Sequence, residues 1–154
     1  MPLLPHLKKR TKYIEPCAGD GRLIRHLAKH GHKCEFACDI MPENDPHSKI
    51  EIVQADILFF GYELPPCKTI ITNPHWSREI LHEMIEKFRH HAPTWLLFDA
   101  DWMFTKQSIP YLEYCDLIVS VGRVSWEGNG VSGKDNSVWY RFQKHKCKTI
   151  FKSR

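Results

Sequence analysis

The sequence predicts an α/β fold: a mostly parallel sheet with helices on both faces and a last strand that runs antiparallel. Short apolar runs alternate with helical patterns along the chain, which is typical of parallel strands joined by crossover helices. The last two predicted strands have no helical segment between them, so we expect them to pair as an antiparallel hairpin. The prediction is one sheet of seven strands with the seventh reversed.

The predicted elements follow one another without a linker or an internal repeat. The strands are predicted at residues 12–15, 33–39, 50–54, 69–72, 94–99, 116–121 and 137–143. The helices are predicted at residues 20–30, 77–91 and 105–114. Gly31 and Pro93 end the first two helices, and Ser77 is a typical N-cap residue.

Length and composition are those of one globular domain. The chain has 154 residues, of which 42% are hydrophobic and 26% charged, enough to bury a substantial core. No apolar run approaches the ~20 residues of a membrane span. We therefore expect a single domain over residues 1–154 with no membrane association, located in the cytoplasm.

The formal net charge of +4 is concentrated at the two ends. The segment 1–12 and the tail 144–154 carry Lys and Arg but no acidic residue. Such basic ends favour contact with a polyanion, although basic tails are often simply solvated.

The six cysteines are scattered without a repeated CxxC. Cys34 and Cys38 are four residues apart, which on a regular strand places both on one face and leaves a zinc site open. Reduced, half-buried thiols of a cytoplasmic protein are the favoured interpretation, and we expect no metal.

A glycine turn and three strand-end carboxylates indicate a nucleotide-like ligand. YIEPCAGDGRLI reads as strand, turn and helix start, with Gly19 and Gly21 in the turn, where backbone N–H groups are free. Glu15, Asp39 and Asp56 end successive strands, at the sheet edge where open α/β folds bind ligands. A carboxylate at Asp39 is suited to ribose hydroxyls, and one at Asp56 to an adenine amine.

These residues resemble those of class I methyltransferases dependent on S-adenosylmethionine (SAM). Residues 15–21, EPCAGDG, resemble the first motif of that family, Asp39 the second and Asp56 the third. The resemblance covers nearly the whole chain and implies SAM as cofactor, with the glycines at its methionine part, Asp39 at its ribose and Asp56 at its adenine. The cofactor-binding residues it implies are Glu15, Pro16, Ala18, Gly19, Gly21, Asp39, Ile40, Asp56, Ile57 and Asn73.

The segment TNPHW supplies a candidate catalytic motif after the fourth predicted strand. Asn73, Pro74, His75 and Trp76 resemble the Asn/Asp-Pro-Pro-aromatic motif of amino-methyltransferases, which act on base amines of DNA or RNA and on glutamine amides. The Asn amide oxygen and the Pro carbonyl can each accept one N–H of a delocalised amine, which aims its lone pair at the methyl group. An indole can stack on the acceptor ring.

His75 departs from the motif, whose third position is a second proline. Its imidazole would either accept the proton lost on transfer or weaken catalysis. The alternative function is therefore a SAM-binding nucleic-acid module that methylates little or depends on a partner. A capping turn with Trp76 in the core is the structural alternative for the motif.

The sequence offers few residues that could determine substrate specificity. Nothing in the chain is left over for a target-recognition domain, so we expect low specificity, or specificity from loops, a partner or a homo-oligomer. Arg123, Trp126 and Lys134, in the loop 122–136, are the candidate substrate contacts. The basic ends are expected at the sheet edge opposite the cofactor.

The segment APTWLLFDADWMF resembles the fifth strand of small adenine methyltransferase-like proteins, often phage- or prophage-encoded. The leading hypothesis is therefore transfer of a methyl group to the exocyclic amine of adenine, in DNA more than in RNA, in a bacterial or phage-infected cell. Asp99 and Asp101 fall at the same edge, without other residues that would make them a metal site.

Overall fold

The computed structural model describes residues 1–43, 50–59, 63–123 and 135–154. Its strands are β1 (Lys12–Glu15), β2 (Lys33–Asp39), β3 (Val53–Gln54), β4 (Ile70–Thr72), β5 (Thr94–Asp99), β6 (Cys115–Arg123), β7 (Asn136–Phe142) and β8 (Ile150–Lys152). Its helices are α1 (Arg22–Lys29), α2 (Arg78–His91) and the single turn α3 (Ile109–Leu112). Three 3₁₀ turns are formed by Leu4–His6, Asp101–Phe104 and Lys106–Ser108.

The described strands form one sheet in the order β3-β2-β1-β4-β5-β7-β6-β8. β1 to β5 are parallel to one another, and β7 inserts antiparallel between β5 and β6. The predicted α/β class and the β6–β7 hairpin are confirmed. The predicted count of seven strands is wrong by one, because β8 adds an eighth.

β8 changes the interpretation of the basic tail. The sequence favours a solvated segment at 144–154, whereas residues 150–152 pair parallel to β6, with Leu117 opposite Ile150 and Val119 opposite Lys152. The hydroxyl of Thr149 donates to the carbonyl of Cys115 at 2.7 Å. Since β8 is short and exposed on both faces, it has no alternating apolar pattern by which a sequence could reveal it.

The sheet is covered on both faces, as predicted. On one face α2 packs through Leu81, Met84, Ile85 and Phe88. On the other face α1 packs through Ile24 and Leu27, together with Leu3 of the N-terminal segment, whose side chain is fully buried. No helix in the described ranges has both the length and the apolar character needed to cross a membrane.

Helix boundaries follow local chemistry. α1 begins at Arg22 rather than residue 20, because Gly21 is its N-cap in a left-handed conformation with φ 74°. The helix predicted over residues 105–114 is replaced by a 3₁₀ turn and the four-residue α3, which has Pro110 in its first turn. Pro lacks an N–H and is tolerated only there in a helix, so a continuous helix through it is disfavoured.

A bulge in β2 places Cys34 and Cys38 on opposite faces of the sheet. Tyr13 pairs with Cys34 and Ile14 with Phe36, so Glu35 is an extra residue in β2. Cys34 consequently joins the core on the α1 side, and Cys38 the core on the α2 side. The expectation that the two thiols share one face is wrong, because a bulge reverses the alternation of side chains.

An aromatic cluster anchors the chain that follows β5. The indole N–H of Trp102, which is 2% exposed, donates to Nε2 of His82 on α2 at 3.0 Å. The imidazole of His82 also stacks on Tyr111, with ring centroids 4.4 Å apart. One histidine thus joins α2 to both the 3₁₀ turn after β5 and α3.

This cluster predicts a pH-dependent stability. Burial, and then the charge of Arg78, lowers the pKa of His82. A lowered folded-state pKa gives stability that is complete above the unfolded value of ~6.5 and is lost as pH falls through the folded value. As the pH is lowered from about 8 to about 5, we expect the urea concentration at the unfolding midpoint to decrease less in His82→Gln than in the parent protein.

Some pH dependence should persist in that variant, because burial also lowers the pKa of His6, His26 and His32. An identical fall in His82→Gln and the parent protein would contradict the role given to His82.

Candidate functional site

A cavity of about 1100 Å³ opens at the carboxyl ends of β1, β2, β3 and β4. Most of the residues predicted to bind a cofactor or an acceptor line it together: Glu15, Pro16, Ala18, Gly19, Asp39, Ile40, Asp56, Ile57, Asn73, Pro74 and His75. They come from four strand ends far apart in sequence, which the parallel sheet brings to one edge.

The glycine turn after β1 is held open toward this cavity. Gly19 and Gly21 both have positive φ, 51° and 74°, which favours glycine. The N–H of Gly21 donates to the carbonyl of Ala18 at 2.7 Å and closes the turn. A Cβ on Gly19 would meet no atom within 4 Å, so the strained backbone, rather than crowding, explains glycine at this position.

Asp39 joins this turn to the loop after β2. Its Oδ2 accepts the N–H of Gly19 at 2.8 Å, and its Oδ1 accepts the N–H of Met41 at 2.9 Å. A carboxylate oxygen has two lone pairs, so each keeps one for a further donor. Asp39 thus fixes the glycine turn and can still bind hydroxyl groups.

Asp20 is a lining residue that the sequence analysis did not single out. Its carboxylate accepts the backbone N–H of Arg22 at 2.8 Å and forms ion pairs with the side chains of Arg22 and Arg25. The position of Asp20 between Gly19 and Gly21 is the sequence signal that could have identified it as a lining residue. Met1, Leu97 and Trp139 also line the cavity, and no sequence signal connects these positions.

Four polar atoms of the lining are buried and have no hydrogen-bond partner among the described residues: Oε2 of Glu15, Nε2 of His26, Oδ1 of Asn73 and Nε1 of Trp139. Buried polar groups are almost always paired in folded proteins. Four unpaired ones around one cavity indicate a polar ligand that supplies both donors and an acceptor.

The electrostatics of the cavity favour a ligand rich in hydrogen-bond donors. Glu15 is 1% exposed. Burial, followed by the nearby carboxylates of Asp39 and Asp20, raises the pKa of Glu15 well above its ordinary value. An ammonium or hydroxyl donor would relieve this unfavourable state.

The Asn73–Trp76 turn divides between the cavity and the core. Asn73, Pro74 and His75 line the cavity, whereas Trp76 is not among its described lining residues. The indole N–H of Trp76 donates to the carbonyl of Leu97 at 3.2 Å, and its ring packs against the core on the α2 side. Nδ1 of His75 accepts the N–H of Ser77 at 3.2 Å, just before α2.

Of the loop residues predicted to contact substrate, one lies within the described residues. Arg123 is exposed at the end of β6. Trp126 and Lys134 lie outside the described residues, as does most of the loop 122–136. Asp99 accepts the N–H of Asp101 at 2.9 Å in a local turn, and no cluster of metal-ligating side chains occurs in the described part of the chain.

Neither the known protein families nor the curated protein sequences contain a match to this chain. Solved structures do match. A dimethyladenosine transferase from Plasmodium falciparum has a TM-score of 0.58 and 17% identity, over 90% of this chain and 57% of that one.

Two further structures match at similar levels. The M protein of the type I restriction enzyme EcoKI has a TM-score of 0.55 and 14% identity, over 96% of this chain and 44% of that one. A Listeria monocytogenes protein described as a class I SAM-dependent methyltransferase has a TM-score of 0.57 and 10% identity, over 95% and 59% of the two chains. The chain has the class I methyltransferase fold. It spans less than two thirds of the length of each of these three structures.

Within this methyltransferase fold, the buried state of Glu15 makes a prediction about the ligand-free protein. A folded-state pKa raised above the unfolded value of ~4.3 means that stability is lost as pH rises from that value through the folded pKa. At about pH 8, Glu15→Gln should therefore be more stable than the parent protein, by about 1–3 kcal/mol.

The gain should shrink as the pH falls toward about 4.3, where the carboxyl becomes protonated in the unfolded state as well. Thermal unfolding across this range checks it, with the exposed Glu51→Gln as control. A variant less stable than the parent at high pH would contradict the unfavourable burial of Glu15.

Proposed function

We propose that this protein transfers a methyl group from SAM to the exocyclic amine of adenine in nucleic acid, with DNA as the first substrate to test. The observation that carries the proposal is that Asn73 lines the same cavity as Gly19 and Asp39, with its amide oxygen buried and unpartnered. A motif suited to hold an amine and a turn suited to hold a nucleoside cofactor thus share one cavity.

The lining residues fit SAM. Asp39 keeps a lone pair on each oxygen for the two ribose hydroxyls, and Asp56, whose Oδ1 accepts the N–H of Leu58 at 2.9 Å, keeps Oδ2 for an adenine amine. Ile40 and Ile57 provide apolar surface for the adenine ring. The buried carboxyl of Glu15 suits the ammonium group of the methionine part. SAM supplies an electrophilic methyl group on a sulfonium.

Asn73 and Pro74 orient the acceptor in this proposal. The lone pair of an aromatic amine is delocalised into its ring, which makes the nitrogen a poor nucleophile. Oδ1 of Asn73 and the carbonyl of Pro74 each accept one N–H, which holds the nitrogen in a more tetrahedral geometry. Positioning of this kind provides most of the rate, and no strong base is needed.

His75 fits a positioning role better than proton acceptance. With Nδ1 accepting the N–H of Ser77, the neutral ring carries its proton on Nε2 and has no free acceptor nitrogen. Accepting the proton from the amine would require that turn to open. His75 can instead present its ring and an N–H to the acceptor base at the cavity rim.

Trp76 stays a candidate for stacking on the base, at a cost. Its indole would have to leave the carbonyl of Leu97, and a hydrogen bond of this kind contributes about 0.5–1.5 kcal/mol. Stacking of a base on an aromatic side chain contributes about 1–3 kcal/mol. The stacking free energy can therefore offset the lost hydrogen bond when substrate is present.

The structural neighbours support a nucleic-acid acceptor. One is a dimethyladenosine transferase, and another belongs to a restriction enzyme, a class that acts on DNA. Adenosine in one and DNA in the other leave both nucleic acids as substrates to test. A second candidate function, SAM binding without transfer, is favoured by His75 in place of the second proline.

The deciding experiment incubates the protein with methyl-labelled SAM and unmethylated DNA or RNA, followed by nucleoside analysis. We expect label in methyladenine, and a loss of about 100-fold or more in Asn73→Ala. Gln107→Ala, which removes an exposed amide near α3, is the matched control. No label in either nucleic acid, with SAM still bound, would leave the SAM-binding module as the better account.

The ribose role of Asp39 has its own test. Asp39→Ala removes the acceptors of two backbone N–H groups and of the ribose hydroxyls, and should weaken SAM binding by about 1–3 kcal/mol. Asp39→Asn keeps one acceptor oxygen and should lose less. Calorimetry with SAM measures both, and equal affinity in Asp39→Ala and the parent protein would exclude the role.

A further inference from the structure

The two basic ends of the chain lie on the same face of the sheet. Leu3 anchors the N-terminal segment in the core on the α1 side, which also contains Trp95. The ring of His6 is 6.4 Å from that of Trp95, and the guanidinium of Arg141 is 5.2 Å from the same ring. Lys152 of β8 is close enough to lower the pKa of His6, after burial and Arg141.

β8 carries the basic C-terminal residues to the edge of the sheet where the cavity opens. β8 is parallel to β6, and β6 is parallel to β5, so its last residue points toward the carboxyl ends of the parallel strands. Nη1 of Arg154 donates to the carbonyl of Val121 at 3.2 Å, two residues before the exposed Arg123. The expectation that the basic ends lie at the opposite edge is therefore wrong for the C-terminal one.

Two acidic side chains next to these strands, Asp116 and Glu113, are engaged by basic partners. Asp116 accepts two hydrogen bonds from Arg141, both at 2.8 Å, and Glu113 forms an ion pair with Lys146. By contrast, no ion pair within the described residues involves the following exposed side chains, which we call the terminal basic surface: Lys8, Lys9, Arg10, Arg123, Lys152 and Arg154.

The distance from this surface to the cavity suits an extended polyanion. β8 is four strands away from β4, which is about 19 Å at the usual strand spacing. That distance corresponds to between five and six base pairs at about 3.4 Å each. A small anion bound at β8 could not reach Asn73, whereas a nucleic acid strand could contact both.

We propose that the terminal basic surface binds the sugar–phosphate backbone of the nucleic acid whose base enters the cavity. Its link to methyl transfer rests on the proposed function, but the binding itself does not require SAM. The surface recognises phosphate charge and carries no base specificity, which suits a domain whose described residues include no separate recognition module.

The test measures binding of a fluorescent duplex DNA by anisotropy over a series of salt concentrations, without SAM. Each phosphate contact contributes about −0.9 to the slope of log K against log salt. Lys152→Gln with Arg154→Gln should make the slope shallower by about two and weaken binding about tenfold or more. Lys8→Gln, Lys9→Gln and Arg10→Gln together should act in the same direction without disturbing β8.

The matched control replaces two exposed lysines outside the terminal basic surface, Lys29 at the end of α1 and Lys68 just before β4. Lys29→Gln with Lys68→Gln should leave the slope unchanged. Equal losses in the control and terminal variants would overturn the proposal, as would unchanged binding in both terminal variants. The same measurement with a duplex RNA of equal length shows whether the surface binds the backbone of DNA or that of RNA more tightly.

The outcomes separate the two proposals. Terminal variants that bind DNA weakly but bind SAM normally support the surface, whether or not any label is transferred. If the terminal variants bind DNA normally and methyl transfer is intact, the proposed role of the terminal basic surface is wrong and the proposed methyltransferase activity is retained. If DNA binding depends on the terminal basic surface but the parent protein transfers no methyl group, only the proposed methyltransferase activity is wrong.

Discussion

The site depends on one carboxylate, that of Asp39. Its two oxygens accept the N–H groups of Gly19 and Met41 and so tie the glycine turn after β1 to the loop after β2. The turn has positive φ at two glycines and is therefore not the backbone's preferred conformation. A charged acceptor at the end of the neighbouring strand stabilises it. Because β1 and β2 are parallel, the same carboxylate faces the cavity that the turn encloses.

Stability and function compete around this cavity. Glu15, Asn73 and Trp139 each bury a polar atom without a partner in the described residues, and Glu15 is nearly inaccessible next to two further carboxylates. Such groups are costly in the absence of a ligand. All three line the cavity, where a polar ligand would supply the missing partners, whereas the aromatic cluster around Trp102 satisfies its own indole N–H.

The reversed β7 and the added β8 give the sheet a second role. β7 between β5 and β6 returns the chain to the amino ends of the parallel strands, and β8 then runs beside β6 to the carboxyl ends. The N-terminal segment packs on the same face. The two ends of the sequence therefore share one face of the sheet, and β8 brings the C-terminal charges to the edge at which the candidate chemistry takes place.

The sequence by itself determined what local chemistry dictates. The glycine turn, the carboxylates after β1, β2 and β3, and Asn73 after β4 could be placed because strand ends are marked by abrupt changes from apolar to polar residues.

Tertiary structure decided the rest. One extra residue, Glu35, reversed the face of Cys34 relative to Cys38. The indole N–H of Trp76 donates to the carbonyl of Leu97 on β5, which holds the ring against the core rather than in the cavity. Met1, Leu97 and Trp139 joined the lining from distant parts of the chain, and β8 formed from three residues without a strand pattern. These outcomes depend on pairings between residues far apart in sequence, whose geometry no local pattern encodes.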